Sequence, residues 1–219
     1  MMDALFNADY RRATWVCVFI AIANQMSGIN ILNIYAQTIF EDVADAGGAA
    51  AFSPKACTYF IGVSGFLGAF LSNFTVKYLT RRQVFIVGHT CMGICLLLVA
   101  VCTVSNHGNL VLVFMCLFVI SLQFSNGSAF WVYAAEVVCD PAMGICLFAL
   151  WGFLVIQTIF ANSLITVVGI SGLFYILAGY QVITIAVLFV CMKESQGLTG
   201  EQKKNLYKPG GGELKKGIE

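Results

Sequence analysis

Residues 110–136 read LVLVFMCLFVISLQFSNGSAFWVYAAE, and this stretch decides which solvent the protein lives in. No charge interrupts it before Glu136. A helix needs about 20 apolar residues to cross the hydrocarbon core of a bilayer, and this run exceeds that. Working outward, no Lys or Arg occurs between Arg82 and Lys193, and Asp140 is the one other acidic residue. Over all 219 residues, 59% are hydrophobic and 11% charged. A water-soluble domain carries about a quarter of its residues charged, so most of this chain faces lipid. Lipid offers no partner for backbone N–H and C=O groups, which makes helices the expected element.

Hydropathy divides the chain into six spans, at about 14–39, 56–79, 83–104, 110–137, 142–168 and 171–192. The expected fold class is an all-α polytopic membrane bundle over 1–192, followed by a polar tail over 193–219. Six crossings put Arg11, Arg12, Lys77, Arg81, Arg82, Lys193, Lys203, Lys204, Lys208, Lys215 and Lys216 on one side. Lys55 stands opposite with Glu41, Asp42 and Asp45. The positive-inside bias assigns the basic side, with both termini, to the cytosol or an organelle matrix. Asp3, Asp9, Arg11 and Arg12 precede a first span too long and too polar for a leader, so no cleavable signal is expected. A net charge of +1 argues against a nucleic-acid partner.

Two spans are interrupted by polar residues. The first carries Asn24-Gln-Met-Ser-Gly-Ile-Asn30 and the fourth Gln123-Phe-Ser-Asn-Gly-Ser128. Each opens a triplet of helices, the mark of a transporter bundle built from two three-helix repeats with a mid-membrane site. At 100° per residue, Ser27, Asn30, Asn33 and Gln37 share one arc of about 120°, with Asn24 and Gln25 outside it. Uncharged amides suit a ligand that offers hydroxyls, such as a sugar; the alternative is that they tie helices together. In the fourth span Gln123, Ser125, Asn126 and Trp131 form a second patch, and Trp131 also suits an interfacial anchor. Glu136 reads as a solvated helix end, because no basic residue is local. In the second span Gly62, Gly65, Gly68, Ala69 and Ser72 make a face that another helix can approach closely.

Catalytic chemistry is not expected, since there is no paired carboxylate, phosphate loop or nucleophile elbow among these residues. Nine cysteines lie mostly within spans and read as small hydrophobes. Cys91, Cys95 and Cys102 share a helix with His89, but packing outweighs a metal site there. Neither a metal nor another cofactor is expected.

These stretches resemble a known family. Gln25-Met-Ser-Gly-Ile-Asn30 with Tyr35 is similar to the QQLSGIN…YY signature in the seventh helix of sugar porters of the major facilitator superfamily. Thr80-Arg81-Arg82 resembles their GRR loop, Trp131-Val-Tyr-Ala-Ala-Glu136 their PWxxxAE stretch, and Glu194-Ser-Gln-Gly197-Leu-Thr199 their PETKG tail. Together these cover about residues 10–200 in the family's order. The resemblance implies the C-terminal six helices of that fold. It places Gln25 and Asn30 where the family holds sugar hydroxyls, Trp131 stacking or gating beside them, and Gln123 where the family usually has Glu. Departures go with it: Asn24 for Gln, Gly65 and Leu150 for two asparagines, Thr80 and Lys77 in the loop motif. The proline pairs are absent from 125–130, and so is the arginine expected soon after Glu136.

Two functions follow from the resemblance. The first is a structural or accessory subunit, degenerate for transport and embedded in a larger membrane complex such as a mitochondrial respiratory assembly. It would sit in the inner membrane among other membrane subunits. The second is a working half of a hexose transporter, completed by itself or a second six-helix chain. Under that reading Gln25, Asn30, Asn33, Gln123 and Trp131 contact the sugar.

Overall fold

The computed structural model describes residues 6–45 and 52–208. Its elements are α1 (Ala8–Gln25), α2 (Ile29–Asp45), α3 (Pro54–Tyr78), α4 (Arg81–Val104) and α5 (Gly108–Leu122). A π turn (Gln123–Gly127) leads into α6 (Ser128–Val137), followed by α7 (Asp140–Cys191) and the short α8 (Gly200–Lys204). The expected all-α membrane bundle is what forms.

Helix starts fall slightly before the hydropathy limits, because caps set them rather than apolar residues. Asn7 accepts from the Asp9 N–H at 3.1 Å. Ser53 caps α3 with Pro54 in its first turn, where the missing N–H costs nothing. Thr80 and Gln83 close a reciprocal capping box on α4. Between α4 and α5, Asn106 adopts φ 56° while the His107 N–H reaches the Cys102 carbonyl at 3.0 Å. That six-to-one bond satisfies a carbonyl that the helix end would otherwise leave open.

α7 counts 52 residues, about 78 Å at 1.5 Å per residue, against a hydrocarbon core of about 30 Å. It is two spans. Gly169, at φ 71° and ψ 171°, breaks it, where hydropathy places the gap. Cys146 and Leu150 of the first arm pack in the same apolar cluster as Leu188 and Met192 of the second, so the arms double back on one another. Among the described residues the total is six spans. α1 and α2 together make the first, and the π turn lies inside the fourth.

The buried apolar side chains fall into two clusters stacked along the bundle. One gathers Ala21 of α1, Phe85 of α4, Ala129 and Phe130 of α6, and Leu188 of α7. The other gathers Ile31 of α2, Met92 of α4, Leu122 of α5, and Leu177 and Ala178 of α7. Between them every one of these spans turns polar: Gln25 to Asn30, Gly88-His89, Gln123 to Ser128, and Gln181 to Thr184. A polar layer thus crosses the bundle at mid-depth.

Beyond α7, residues 193–208 of the polar tail are folded onto the bundle, with Leu206 and Tyr207 buried. The glycine-rich run at 210–212 lies outside the described residues, as do residues 46–51.

Candidate functional site

The first span breaks at Met26-Ser27-Gly28. Gly28 takes φ +92°, a left-handed backbone that side chains with a Cβ rarely adopt, and a Cβ there would sit 2.5 Å from Leu177 Cδ1. The helix restarts at Ile29 with its phase reset, and this overturns the single polar arc. Ser27 is buried and donates its hydroxyl to the Asn24 carbonyl at 2.6 Å. Asn33 and Gln37 stay on the exposed face of α2, and Gln37 donates to Glu41 at 2.8 Å. Gln25, which the uninterrupted wheel puts elsewhere, comes instead to Asn30: the Asn30 amide donates to Gln25 Oε1 across the break. The resemblance names this pair, and the break is the physical reason it exists.

The fourth span is interrupted at the corresponding place. Gln123–Gly127 winds as a π turn, where the resemblance notes missing prolines. Such turns insert one residue into the helix and concentrate at functional sites. Ser125 donates its hydroxyl back to the Ser121 carbonyl at 2.7 Å, the back-bonding that bends helices. Gln123 lies half-buried against α3, with a Cβ on Gly68 reaching to 2.8 Å of the Gln123 Cβ and of the Ile120 carbonyl. Of the small-residue face on α3, then, Gly68 serves α3–α5 packing, while Gly62 meets nothing within 4 Å. Trp131 is 39% exposed, its ring edge-on to Phe130 at 5.1 Å. Gln25 and Asn30 thus form one pair, while Gln123 and Trp131 stand on the fourth span and Asn33 points outward on α2.

Sequence reasoning named Asn126 and His89 separately but missed Gln181 and the meeting of the three in the middle of the polar layer. His89, Asn126 and Gln181 are each fully buried. His89 Nδ1 lies 2.6 Å from Gln181 Oε1, and Nε2 lies 3.1 Å from Asn126 Nδ2. The amide oxygen can only accept and the amide nitrogen only donate, so Nδ1 carries the proton and the ring is neutral. Both ring nitrogens are therefore engaged, which replaces the metal site considered beside Cys91, Cys95 and Cys102; among the described residues no metal-holding group of three forms. A lone Gln in an apolar span, such as Gln181, was the available signal, since intramembrane polar residues are rarely idle. Asn126 Oδ1, Ser128 Oγ, Gln157 Oε1 and Gln181 Nε2 are buried without a partner. A layer with spare hydrogen-bonding capacity is suited to a polar solute.

The basic end of the bundle corrects the reading of Glu136 as a solvated terminus. Its carboxylate receives Lys203 Nζ at 2.7 Å, the Ser195 hydroxyl at 2.8 Å and Arg81 Nη2 at 3.7 Å. Lys204 donates to the Ala135 carbonyl at 2.9 Å and also to that of Val138, the open end of α6. Across from it, Glu194 accepts the backbone N–H groups of Arg81 and Arg82 at 3.2 and 3.0 Å. That carboxylate is the anion a helix N-terminus favours. The Tyr133 hydroxyl donates to the Lys193 carbonyl at 2.9 Å, and Tyr207 accepts the Lys193 N–H at 2.8 Å. Burial pushes the Tyr207 phenol up to about 12. Glu136 is thus ion-paired at this end of the bundle, with a lysine from the tail.

Comparison with known proteins agrees with this architecture. Residues 1–207 match the family described as Sugar (and other) transporter. Sugar transport protein 10 of Arabidopsis thaliana is 27% identical over 93% of this chain and 42% of its own length. High glucose sensor RGT2 of Saccharomyces cerevisiae is 25% identical over 95% of this chain and 29% of its own. The chain thus spans less than half the length of these relatives. A crystal structure of a double tryptophan mutant of XylE has a TM-score of 0.80 at 20% identity, covering 90% of this chain and 43% of that one. At that identity the likeness speaks for the fold alone. This chain belongs to the Sugar (and other) transporter family, with the fold of one half of a major facilitator sugar porter.

Proposed function

We propose that this chain forms one wall of a sugar-binding and translocation path through the membrane. A second six-helix bundle supplies the opposite wall. The observation that carries this reading is the uncharged polar layer between two apolar clusters, set by breaks at Gly28 and at Gln123–Gly127. Amides without ionised neighbours match hydroxyls and not carboxylates or cations. Gln25, Asn30 and Gln123 offer those amides, Trp131 a flat apolar face, and Asn33 a further amide on the exposed face of α2. The relatives are named for sugar transport and glucose sensing, activities that share a sugar site. Both termini lie on the positively charged, cytosolic or matrix side.

The test uses the full chain in lipid nanodiscs, titrated with D-glucose and D-xylose by calorimetry. Saturable binding weakened about tenfold or more by Asn30→Ala or Gln25→Ala is expected, since each removes one hydrogen bond to a desolvated hydroxyl. Wild-type protein that binds neither sugar, alone or with its co-purifying bundle, overturns the reading.

A second reading keeps the fold and drops the transport: a packing subunit of a larger membrane assembly, for example a mitochondrial one. It is favoured by Asn30, whose amide is satisfied by Gln25 without any ligand, and by apolar Gly65 and buried Leu150 where the resemblance expects asparagines. It requires that deletion of the chain disturbs a partner complex and that no sugar binds. Saturable sugar binding decides between the two.

A further inference from the structure

The π turn does more than interrupt a helix. One inserted residue advances everything after it by about 100° relative to an unbroken α-helix. The directions in which Trp131, Tyr133 and Glu136 point from α6 are therefore fixed by whether Gln123–Gly127 stays wound in this form. A π turn is intrinsically less favourable than the α-helix around it, so something must hold it. Ser125 supplies part of the answer from within, through its bond to the Ser121 carbonyl. Thr75 of α3 reaches the Phe124 carbonyl, at 3.5 Å. The tight connection from outside is His89. Its Nε2 accepts from Asn126 within the turn at 3.1 Å, and its Nδ1 donates to Gln181 of α7 at 2.6 Å. The ring can reach both because α4 comes against the turn at Gly88, where any Cβ would collide with the Ser125 side chain. Gln181 in turn lies over Gly93, one turn further along α4, at 3.2 Å from where its Cβ would be.

We propose that His89 is the positioning residue of the fourth span: bridging Asn126 and Gln181, it holds the π turn in place and so sets the facing of Gln123 and Trp131 in the polar layer. His89 does not touch the sugar in this scheme. Its bearing on sugar affinity rests on the function proposed above, but its hold on the turn does not.

The experiment uses the full chain in nanodiscs on a Trp15→Phe, Trp151→Phe background, so that Trp131 is the remaining fluorophore. His89→Leu removes both hydrogen bonds at similar bulk. His89→Gln keeps one donor and one acceptor. In His89→Leu, amide hydrogen exchange over residues 121–129 is expected to rise about tenfold or more, with a shift in Trp131 emission. In His89→Gln both readouts should stay within about twofold of the parent. Should His89→Leu not fold, Gln181→Met, isosteric and unable to accept from Nδ1, reads the same segment and should loosen it in the same direction. Unchanged exchange and emission in the folded Leu or Met variant overturns the proposal. Equal disturbance by Leu and Gln at position 89, or exchange that rises evenly over all six spans, also overturns it, since either marks a packing role. Sugar titration of the same proteins separates the two ideas. A parent that binds no sugar ends the transport reading while exchange still decides on His89. A parent that binds, with His89→Leu weakened and His89→Gln retained, supports both.

Discussion

Lys203 Nζ sits 2.7 Å from Glu136 Oε1, joining two positions 67 residues apart. The resemblance expects an arginine soon after Glu136 and the sequence lacks it. The cation comes instead from α8, and the same short helix sends Lys204 to the open carbonyls of α6. The tail thereby binds the ends of α4, α6 and α7 into one cluster.

Removing Lys203 should weaken this cluster modestly. Both side chains are partly shielded, at 21% and 17% exposure, so Lys203→Ala is expected to cost on the order of 1 kcal/mol. Glu136→Ala should cost more, roughly 2–3 kcal/mol, because it leaves Arg81 with Nε and Nη1 already unpartnered and strips Ser195 as well. Thermal unfolding in detergent ranks the two, and a Glu136→Ala protein as stable as Lys203→Ala would contradict the shared-anchor geometry.

Acid should release the tail through Glu194. Burial raises the tendency of this carboxyl to hold its proton, but N–H donors from Gln196, Arg82 and Ser195 and the contact with Thr80 outweigh it, leaving it below its ordinary range. A depressed folded value means the ionised form stabilises the docked state at every pH above the unfolded value of about 4.3. That contribution drains away as pH falls from there through the folded value. Protection of the amides in residues 195–207, measured relative to their intrinsic exchange at each pH, is therefore expected to be steady from neutral pH down to about 5 and to fall below about 4. Glu194→Gln should lack the acid step, and a variant that keeps it would assign the step to another carboxylate.

Two glycines that look alike in sequence should behave oppositely. A Cβ at Gly68 would meet the Ile120 carbonyl at 2.8 Å and its Cα at 2.9 Å, backbone that cannot step aside, whereas Gly62 faces open space. Gly68→Val is expected to destabilise by about 1–3 kcal/mol. Gly62→Ala should stay within about 0.5 kcal/mol of the parent. Equal melting temperatures would mean that α3 and α5 are not in this close contact.

The bundle was legible because hydropathy alone requires it: residues 110–136 admit no other solvent than lipid. The doubling-back at Gly169 was legible for the same reason, since about 30 Å of hydrocarbon cannot hold 52 helical residues. Motif order gave Gln25 and Asn30. Their meeting did not follow from the helical wheel, which assumes an unbroken helix and fails at Gly28. His89, Asn126 and Gln181 sit on three different spans, with 92 positions between His89 and Gln181, so no local period links them. Lys203 was hidden similarly, because its partner lies far along the chain and only tail docking brings them together.

The break at Gly28 offers the sharpest single check, because two costs coincide there and can be separated. At φ +92° an alanine is strained by its own backbone, and its Cβ would also meet Leu177 Cδ1 at 2.5 Å. Gly28→Ala is expected to lose about 1–3 kcal/mol. Leu177→Ala alone should lose about 2–5 kcal/mol, as Leu177 is buried in the cluster beneath the polar layer. In the double variant the collision disappears while the backbone strain persists, so the combined loss should fall short of the sum of the two without reaching that of Leu177→Ala alone. A fully additive pair would mean that Leu177 does not abut the break, and full rescue that the backbone there is not left-handed. Thermal melts of the four proteins in one detergent complete the cycle.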